Sequence, residues 1–281
     1  MKIIECPRDA MQGFPKQIET KQKVDYINQL LRVGFHTIDF GSFVSPKAIP
    51  QMADTKEVLS QLNLNETSSE LLAIIANIKG AETGVTFPEI KYLGYPFSIS
   101  ETFQLRNTKK TIADSQLLIK DIKKLLTTQE LVVYISMGFG NPYGDHWNTS
   151  VVERYVDFLV NEGITTISLA DTLGMANTKD IESVFNTLSK RYEGIEFGAH
   201  FHSTPQNWQD KTQAAYDSGC LRFDVAMKGY GGCPFADDHL VGNTATEQFI
   251  TWMEQRGLAH SLDMEAFNKA LAMSSEVFKS E

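Results

Sequence analysis

Two histidines, His200 and His202, stand one residue apart in a run that is otherwise typical of a buried strand. Side chains at positions i and i+2 of a strand point the same way, so both imidazoles are expected to face one side of a sheet. Paired imidazoles can bind a divalent metal ion. The alternative interpretation is that both are partly exposed surface histidines without a ligand. A metal site would need further ligands close to the pair.

Charged side chains stand at the ends of three other strand-like runs. Arg8 and Asp9 follow the first run, Asp39 ends the second, and Asp171 follows the sixth. Burying carboxylates, imidazoles and an arginine in one place is costly unless they are paired or bind a cation. For Asp171, which precedes Thr172, a helix N-cap or a surface ion pair is an equally good interpretation.

Eight short apolar runs alternate with helical patterns along the chain, which predicts repeated βα units around a parallel sheet. Two helical patterns, 19–33 and 150–162, stop at Gly34 and Gly163, and glycine just past a helix is a usual stop signal. We therefore predict an α/β fold, a single (βα)8 TIM barrel domain over residues 1–281. The predicted strands are 2–6, 35–40, 70–76, 95–100, 131–136, 165–170, 195–202 and 221–227.

A barrel brings the carboxyl ends of all its strands to one mouth, although these segments are far apart in sequence. The polar residues described above are therefore expected to converge on one volume. An open doubly wound sheet is the alternative architecture. The glycine-rich phosphate fingerprint of such sheets is missing after the first strand, where Pro7-Arg8-Asp9 stands instead.

A glycine-rich segment, 228–247, follows the eighth predicted strand and contains Cys233 and Asn243. Its glycines permit positive φ angles and a close approach to a ligand, so we predict that it is a catalytic loop. Cys233 is expected to be exposed and reactive, whereas Cys6 and Cys220 lie in apolar strand context and are expected to be inert core thiols. Asn243 could equally cap the last helix.

The composition limits the partners of the protein. It carries 35 acidic against 26 basic residues, a formal charge of −9, which argues against nucleic acid or an anionic membrane as the main partner. Three widely spaced cysteines are too few for a disulfide framework, which favours a reducing cytoplasm. The sequence has no leader pattern and no run of about 18 apolar residues, so we expect neither export nor a membrane span.

The residues and the segments around them resemble the 3-hydroxy-3-methylglutaryl-CoA (HMG-CoA) lyases of the DRE-TIM metallolyase superfamily. The matching segments follow the family's order and span nearly the full length. The segment 42–52 and the Gly-Gly-Cys-Pro loop at 231–234 are the most specific to this family. The segments are Pro7-Arg8-Asp9-Ala-Met-Gln12, Ser42-Phe-Val-Ser-Pro-Lys-Ala-Ile-Pro-Gln-Met52, Ser168-Leu-Ala-Asp171-Thr-Leu-Gly174, His200-Phe-His202, Gly231-Gly-Cys233-Pro-Phe-Ala236 and Gly242-Asn243-Thr-Ala-Thr-Glu247.

The resemblance implies a divalent metal, Mg²⁺ or Mn²⁺, held by Asp9, His200, His202 and Asn243. One carboxylate, one amide oxygen and two imidazoles leave two open octahedral positions, which suit chelation by a hydroxyl and a carboxylate of the substrate. The implied activity is that of a carbon–carbon lyase, which cleaves an HMG-CoA-like acyl-CoA to acetoacetate and acetyl-CoA. Arg8 is implied to contact the thioester carbonyl.

The proton-transfer candidates are Cys233, Asp39, Asp171 and His200, and the sequence does not order them. Several positions depart from the family pattern. Among them, Asp39 stands where glutamate is usual, and Ser203 stands where aspartate is usual. The accepted acyl chain therefore stays open. A homodimer or a higher homo-oligomer is the expected assembly.

Three other functions stay open. A Claisen-condensing enzyme of the isopropylmalate or homocitrate synthase type shares the Arg-Asp and His-x-His patterns, but is expected to carry further C-terminal domains. A Schiff-base aldolase with Lys228 as nucleophile would leave Asp9 and the histidine pair without a role. A barrel that binds an acyl-CoA ester or a metal without turnover is the third, and the departures at Asp39 and Ser203 are its best support.

Overall fold

Eight parallel strands close into a barrel in the computed structural model, which describes residues 1–232 and 241–279. The strands pair in chain order, and β8 pairs with β1 to close the barrel. The predicted α/β barrel is therefore confirmed. The strands are β1 (Lys2–Glu5), β2 (Thr37–Ser42), β3 (Glu70–Ile74), β4 (Ile90–Ser98), β5 (Glu130–Ser136), β6 (Thr166–Asp171), β7 (Glu196–Ser203), β8 (Arg222–Val225) and a short β9 (Gly242–Asn243), which pairs antiparallel with β7.

Helices follow the strands and surround the barrel. No helix within the described ranges is long and apolar enough to cross a membrane. The α-helices are α1 (Pro7–Gln12), α2 (Thr20–Val33), α3 (Thr55–Leu59), α4 (Ile78–Gly84), α5 (Glu101–Thr108), α6 (Ile112–Leu125), α7 (Thr149–Asn161), α8 (Thr178–Arg191), α9 (Trp208–Asp217), α10 (Thr246–Gln255) and α11 (Met264–Val277).

The boundaries of two helices confirm the glycine stop signals. Helix α2 ends immediately before Gly34, which has a φ of 81°, and α7 ends shortly before Gly163, which has a φ of 74°. Positive φ is a conformation that glycine adopts without the steric cost of a Cβ atom. These residues therefore end the helices and turn the chain back into the next strand.

The largest difference from the predicted strands is at β4, which begins at Ile90 rather than at residue 95. Lys91 and Gly94 interrupt the apolar pattern in this segment. Ile90 nevertheless pairs with Leu71 of β3, and pairing continues along both strands. Pairing with a neighbouring strand outweighs the local sequence preference here.

Arg8 and Asp9, which follow the first strand as predicted, lie on the short helix α1. Pro7 occupies its first turn, where the missing N–H of proline is not needed. The helix follows β1 after one residue and packs beside β2. Its position brings both charged side chains to the mouth of the barrel.

Candidate active site

A cavity opens among the carboxyl ends of the strands and combines apolar walls with a few polar groups. Arg8, Asp9, His200 and His202 line one part of it. Concave sites with apolar walls and a few converging polar groups are the usual form of small-molecule sites. The larger apolar residues of the lining are Val44, Ile49, Ile74, Pro96, Phe103 and Tyr134.

Three side chains at the cavity form a possible metal-binding group. Asp9, His200 and His202 offer ligand atoms that all lie within 4.8 Å of one another. Asp9 comes from α1 and the two histidines come from β7, so closure of the barrel brings them together. The predicted convergence of these three residues is therefore present in the structure.

The surroundings of the two histidines shift their pKa values in opposite directions. His200 Nδ1 lies 3.0 Å from Asp224 Oδ2, which leaves Nε2 as its free ring nitrogen. Burial opposes a charge on His200, but the hydrogen bond and the charge of Asp224 outweigh it and raise its pKa. Burial and the nearby His200 lower the pKa of His202 to about 4, so this imidazole is neutral, as a metal ligand must be.

Asp9 is held as a carboxylate between two donors. Its oxygens accept hydrogen bonds from Arg8 Nη1 at 3.0 Å and from Asn243 Nδ2 at 2.8 Å. Burial opposes the charge of Asp9, but Arg8, His200 and His202 outweigh it and lower its pKa to about 2. An anionic oxygen ligand and a neutral imidazole are a donor set that divalent cations accept.

Asn243 lies beside this group through β9, which pairs with the end of β7. Its Nδ2 donates to Asp9 and also to the carbonyl of Tyr230, at 2.9 Å. Both amide hydrogens are thus used, and the amide oxygen is the atom that can serve a cation. Helix α10 begins after Ala245 instead, so Asn243 is not its N-cap.

Gly231 permits the close approach of the glycine-rich segment to Asn243 and Asp9. Its φ is 104°, and a Cβ atom there would lie 2.5 Å from Asn243 Nδ2 and 3.1 Å from Asp9 Oδ2. Any larger residue would therefore collide with Asn243 and crowd Asp9. The positive φ angle predicted for glycines of this segment is present at Gly231, and the approach to a ligand stays a prediction.

Arg8 is fixed by several acceptors. Nε and Nη2 donate to Asp39, and Nη1 donates to Asp9 at 3.0 Å and to Gln12 at 3.2 Å. Burial opposes the charge of Arg8, but Asp39 and Asp9 outweigh it and raise its pKa. Asp39 lies behind Arg8 rather than in the cavity lining, and burial raises its pKa to about 6 although Arg8 opposes this shift.

Asp171 is also bound behind the cavity wall. One of its oxygens accepts from the backbone N–H groups of Met175 and Ala176, and the other lies 2.6 Å from Lys211 Nζ. Lys211 donates further to the carbonyls of Gly174 and His202. The carboxylate thus organises the loop after β6, and its part in proton transfer stays a prediction.

Two residues around the cavity, Asp224 and Lys211, were not predicted from the sequence. Asp224, the partner of His200, had a signal, because the run Leu-Arg-Phe-Asp-Val places charges inside an apolar strand. Lys211 had none, because a lysine in a polar helix such as α9 is ordinarily solvated. Its burial follows from the packing of α9 against α8 and β7.

The three cysteines and Lys228 complete the predicted set. Cys6 and Cys220 are buried free thiols, and burial raises the pKa of both, as expected for inert core positions. Cys233 lies outside the described residues, and its role stays a prediction. Lys228 is exposed and donates to Ser275 of α11, so the structure does not place it in the cavity lining.

Similarity to known proteins extends over almost the whole chain. The HMGL-like family model matches residues 2–273. The chain belongs to the HMGL-like family. The resemblance found in the sequence is thereby confirmed.

HMGL-like relatives include hydroxymethylglutaryl-CoA lyase YngG of Bacillus subtilis, which is 33% identical over 264 residues, 92% of this chain and 86% of that protein. The (R)-citramalyl-CoA lyase of Chloroflexus aurantiacus is 29% identical over 272 residues, 93% of this chain and 85% of that protein. An HMG-CoA lyase from Acinetobacter baumannii, solved in complex with coenzyme A and 3-methylmalate, has a TM-score of 0.92 at 32% identity, with 99% of this chain and 91% of that chain covered.

Proposed function

We propose that the protein is a divalent-metal-dependent carbon–carbon lyase that cleaves HMG-CoA, or a close relative, to acetoacetate and acetyl-CoA. The observation that carries this proposal is the convergence of Asp9, His200 and His202 beside Arg8 in one cavity. Membership of the HMGL-like family and the lyases among its relatives support it. Mg²⁺ and Mn²⁺ are the proposed ions, because the donor set combines oxygen and imidazole ligands.

Arg8 supplies the stabilising charge in this proposal. Asp9, the two histidines and Asn243 would hold a divalent cation, which would supply Lewis-acid polarisation of the substrate oxygens. The bonds of Arg8 to Asp39, Asp9 and Gln12 leave one Nη2 hydrogen for a ligand. Cleavage of the C2–C3 bond places negative charge on the thioester oxygen, in the enolate of acetyl-CoA. A fixed cationic donor stabilises that charge more than it stabilises the neutral carbonyl.

The reaction also needs a group that removes the proton of the 3-hydroxyl and a group that protonates the enolate carbon. Asp39 and Asp171 are bound behind the cavity wall, and His200 has Nδ1 committed to Asp224. These contacts support assigning a proton transfer to Cys233, which otherwise rests on the resemblance of its loop.

A citramalyl-CoA-like ester is the second candidate substrate. It is supported by the 29% identity to the (R)-citramalyl-CoA lyase of Chloroflexus aurantiacus. Both esters carry a tertiary hydroxyl on the carbon that is β to the thioester, so the same side chains would act on either. Cleavage releases acetoacetate from one and pyruvate from the other.

The location and the assembly of the enzyme complete the proposal. The small number of cysteines supports a cytoplasmic location. A homodimer or a higher homo-oligomer stays the predicted assembly, which analytical ultracentrifugation measures directly.

The decisive experiment offers both esters to the purified protein, with Mn²⁺, with Mg²⁺ and with EDTA. We expect metal-dependent release of acetoacetate from HMG-CoA, its loss with EDTA, and a strongly reduced rate in Cys233→Ala. Arg154→Ala, at an exposed position of α7, is the control and should react as the wild type does. Mn²⁺ binding without any product would support a non-catalytic barrel instead, and pyruvate from the second ester alone would reassign the substrate.

A further inference from the structure

A row of residues lies inside the barrel below the predicted metal ligands. Tyr134, Ser168, Gly198 and Arg222 pair in register across β5, β6, β7 and β8, so their side chains point to the same side. A Cβ atom on Gly198 would lie 3.0 Å from Arg222 Cδ and 3.3 Å from Ser168 Oγ. Glycine at this position therefore leaves the space that the arginine side chain occupies.

The guanidinium of Arg222 is buried, and direct contacts compensate its charge only in part. The residue is 1% exposed. Nη1 lies 3.4 Å from Glu196 Oε2, at the amino-terminal end of β7, and Glu196 also binds Lys2 at 2.6 Å. Nε and Nη2 have no hydrogen-bond partner in the described part of the chain. A buried cation of this kind requires a further negative charge nearby.

Asp224 supplies that charge. It lies two residues after Arg222 on β8, so both side chains point to the barrel interior. Its side chain is 1% exposed, Oδ2 lies 3.0 Å from His200 Nδ1, and Oδ1 has no partner among the described residues. Arg222 and Asp224 make no direct ion pair, so the attraction acts across the interior, where the low dielectric strengthens it.

We propose that Arg222 is a positioning residue for the metal centre, an inference that rests on the metal site of the proposed function. Its charge offsets the cost of burying the Asp224 carboxylate next to His200. The carboxylate can then accept the Nδ1 hydrogen of His200, which fixes the tautomer with its lone pair on Nε2, the ring nitrogen that would bind the cation. Removing the charge of Arg222 should therefore weaken metal binding although no ligand is changed.

A purely structural role is the competing explanation. In that case Arg222 stabilises the fold through its ion pair with Glu196, at the end of the barrel away from the cavity, and has no effect on the metal site. The two explanations differ for the variant Glu196→Gln. It removes the charge of that partner and leaves Arg222, Asp224 and His200 in place.

The test measures the Mn²⁺ dissociation constant by electron paramagnetic resonance, in the absence of substrate. We expect Arg222→Met to raise it about 10- to 100-fold, the usual range for groups that support metal ligands. Arg222→Lys keeps the charge and should recover most of the affinity. Glu196→Gln should stay within about twofold of the wild type, because its partly exposed ion pair is weak.

The double variant Arg222→Met with Asp224→Asn is the control for misfolding, because it leaves neither charge buried without the other. If Arg222 acts through Asp224, Asp224→Asn alone weakens Mn²⁺ binding as much as the double variant does. Wild-type affinity in folded Arg222→Met, an equal loss in Glu196→Gln, or additive losses in the double variant would overturn the inference. A wild-type protein that binds no Mn²⁺ would overturn it as well. Absence of acyl-CoA cleavage with the expected Mn²⁺ affinities would contradict only the proposed function.

Discussion

Two of the buried ion pairs near the mouth of the barrel, Arg8–Asp39 and Lys211–Asp171, differ in whether they reach the cavity. Arg8 Nη2 lies 2.5 Å from Asp39 Oδ2, and Lys211 Nζ lies 2.6 Å from Asp171 Oδ2. All four residues are buried. Arg8 lines the cavity, whereas Lys211 and Asp171 lie behind its wall.

The two ion pairs differ in how many N–H donors of the cation remain without an acceptor. The three ammonium hydrogens of Lys211 are all matched by acceptors, namely Asp171 and the carbonyls of Gly174 and His202. Arg8 has five N–H groups, and its contacts with the described residues leave one Nη2 hydrogen unused. The Lys211–Asp171 pair, in which every N–H donor is used, stabilises the fold. The Arg8–Asp39 pair keeps one N–H donor at the cavity, so Arg8 can also bind a ligand.

The largest expected effect is on stability and follows from Lys211→Met. This change leaves the Asp171 carboxylate buried without its countercharge, so we expect the free energy of unfolding to fall by about 3–5 kcal/mol. Urea unfolding measures it. Lys269→Met is the matched control, because Lys269 pairs with Glu265 at the surface of α11 and such a pair contributes at most about 0.5 kcal/mol. A loss in Lys211→Met no larger than in the control would remove the structural role assigned to this pair.

The next effect is on the reaction and follows from Arg8→Lys. A lysine keeps the charge, but its ammonium cannot serve Asp39, Asp9 and Gln12 together and still offer a hydrogen to the cavity. We expect kcat for acyl-CoA cleavage to fall about 100-fold, which corresponds to about 2.7 kcal/mol, with a smaller change in KM. Arg154→Lys, on the outside of the barrel, is the matched control. A kcat close to that of the wild type would show that Arg8 does not stabilise developing charge.

Glu5 extends the comparison to a buried carboxylate that has no cation paired with it in the described part of the chain. Its oxygens accept hydrogen bonds from the Met227 N–H at 2.8 Å and from the Thr246 hydroxyl at 2.6 Å. Burial raises its pKa from the usual 4.5 to about 8, although both hydrogen bonds oppose this shift. Glu5 is therefore protonated in the folded protein near neutral pH.

This pKa predicts a pH dependence of stability. Between pH 4.5 and about 8 the folded protein binds one more proton at Glu5 than the unfolded chain does. The contribution of Glu5 is therefore fully present below pH 4.5 and is lost as the pH rises to its folded pKa. From about pH 6 to about pH 8 we expect a loss of about 2 kcal/mol, at about 1.4 kcal/mol per pKa unit.

The check is urea unfolding of the wild type and Glu5→Gln at both pH values. Glutamine keeps the shape and can serve the same two partners, so Glu5→Gln should remove this part of the pH dependence. An unchanged slope in the variant would mean that the folded protein carries Glu5 as a charged carboxylate.

The contrast between the two ion pairs also shows what the sequence could predict. The alternation of strands and helices and the spacing of His200 and His202 predicted the barrel and placed the histidines near Asp9, because these patterns are local and repeat along the chain. The pairing of Asp171 with Lys211 could not be read in the same way. It joins residues 40 positions apart and depends on how α9 packs against β7. The unused hydrogen of Arg8 depends on the rotamers of three neighbouring side chains.

The smallest expected effect comes from Asp39→Asn, with Asp171→Asn as the matched change in the other pair. Asparagine keeps the shape of Asp39 but loses the charge and one of its two acceptor oxygens, so Arg8 is held less firmly. We expect kcat to fall about tenfold, which corresponds to about 1.4 kcal/mol, while Mn²⁺ affinity stays near that of the wild type. Asp171→Asn should lower stability and leave kcat of the folded protein much less affected. Equal losses of kcat would mean that Asp171 acts on the reaction as well, as its place among the proton-transfer candidates allows.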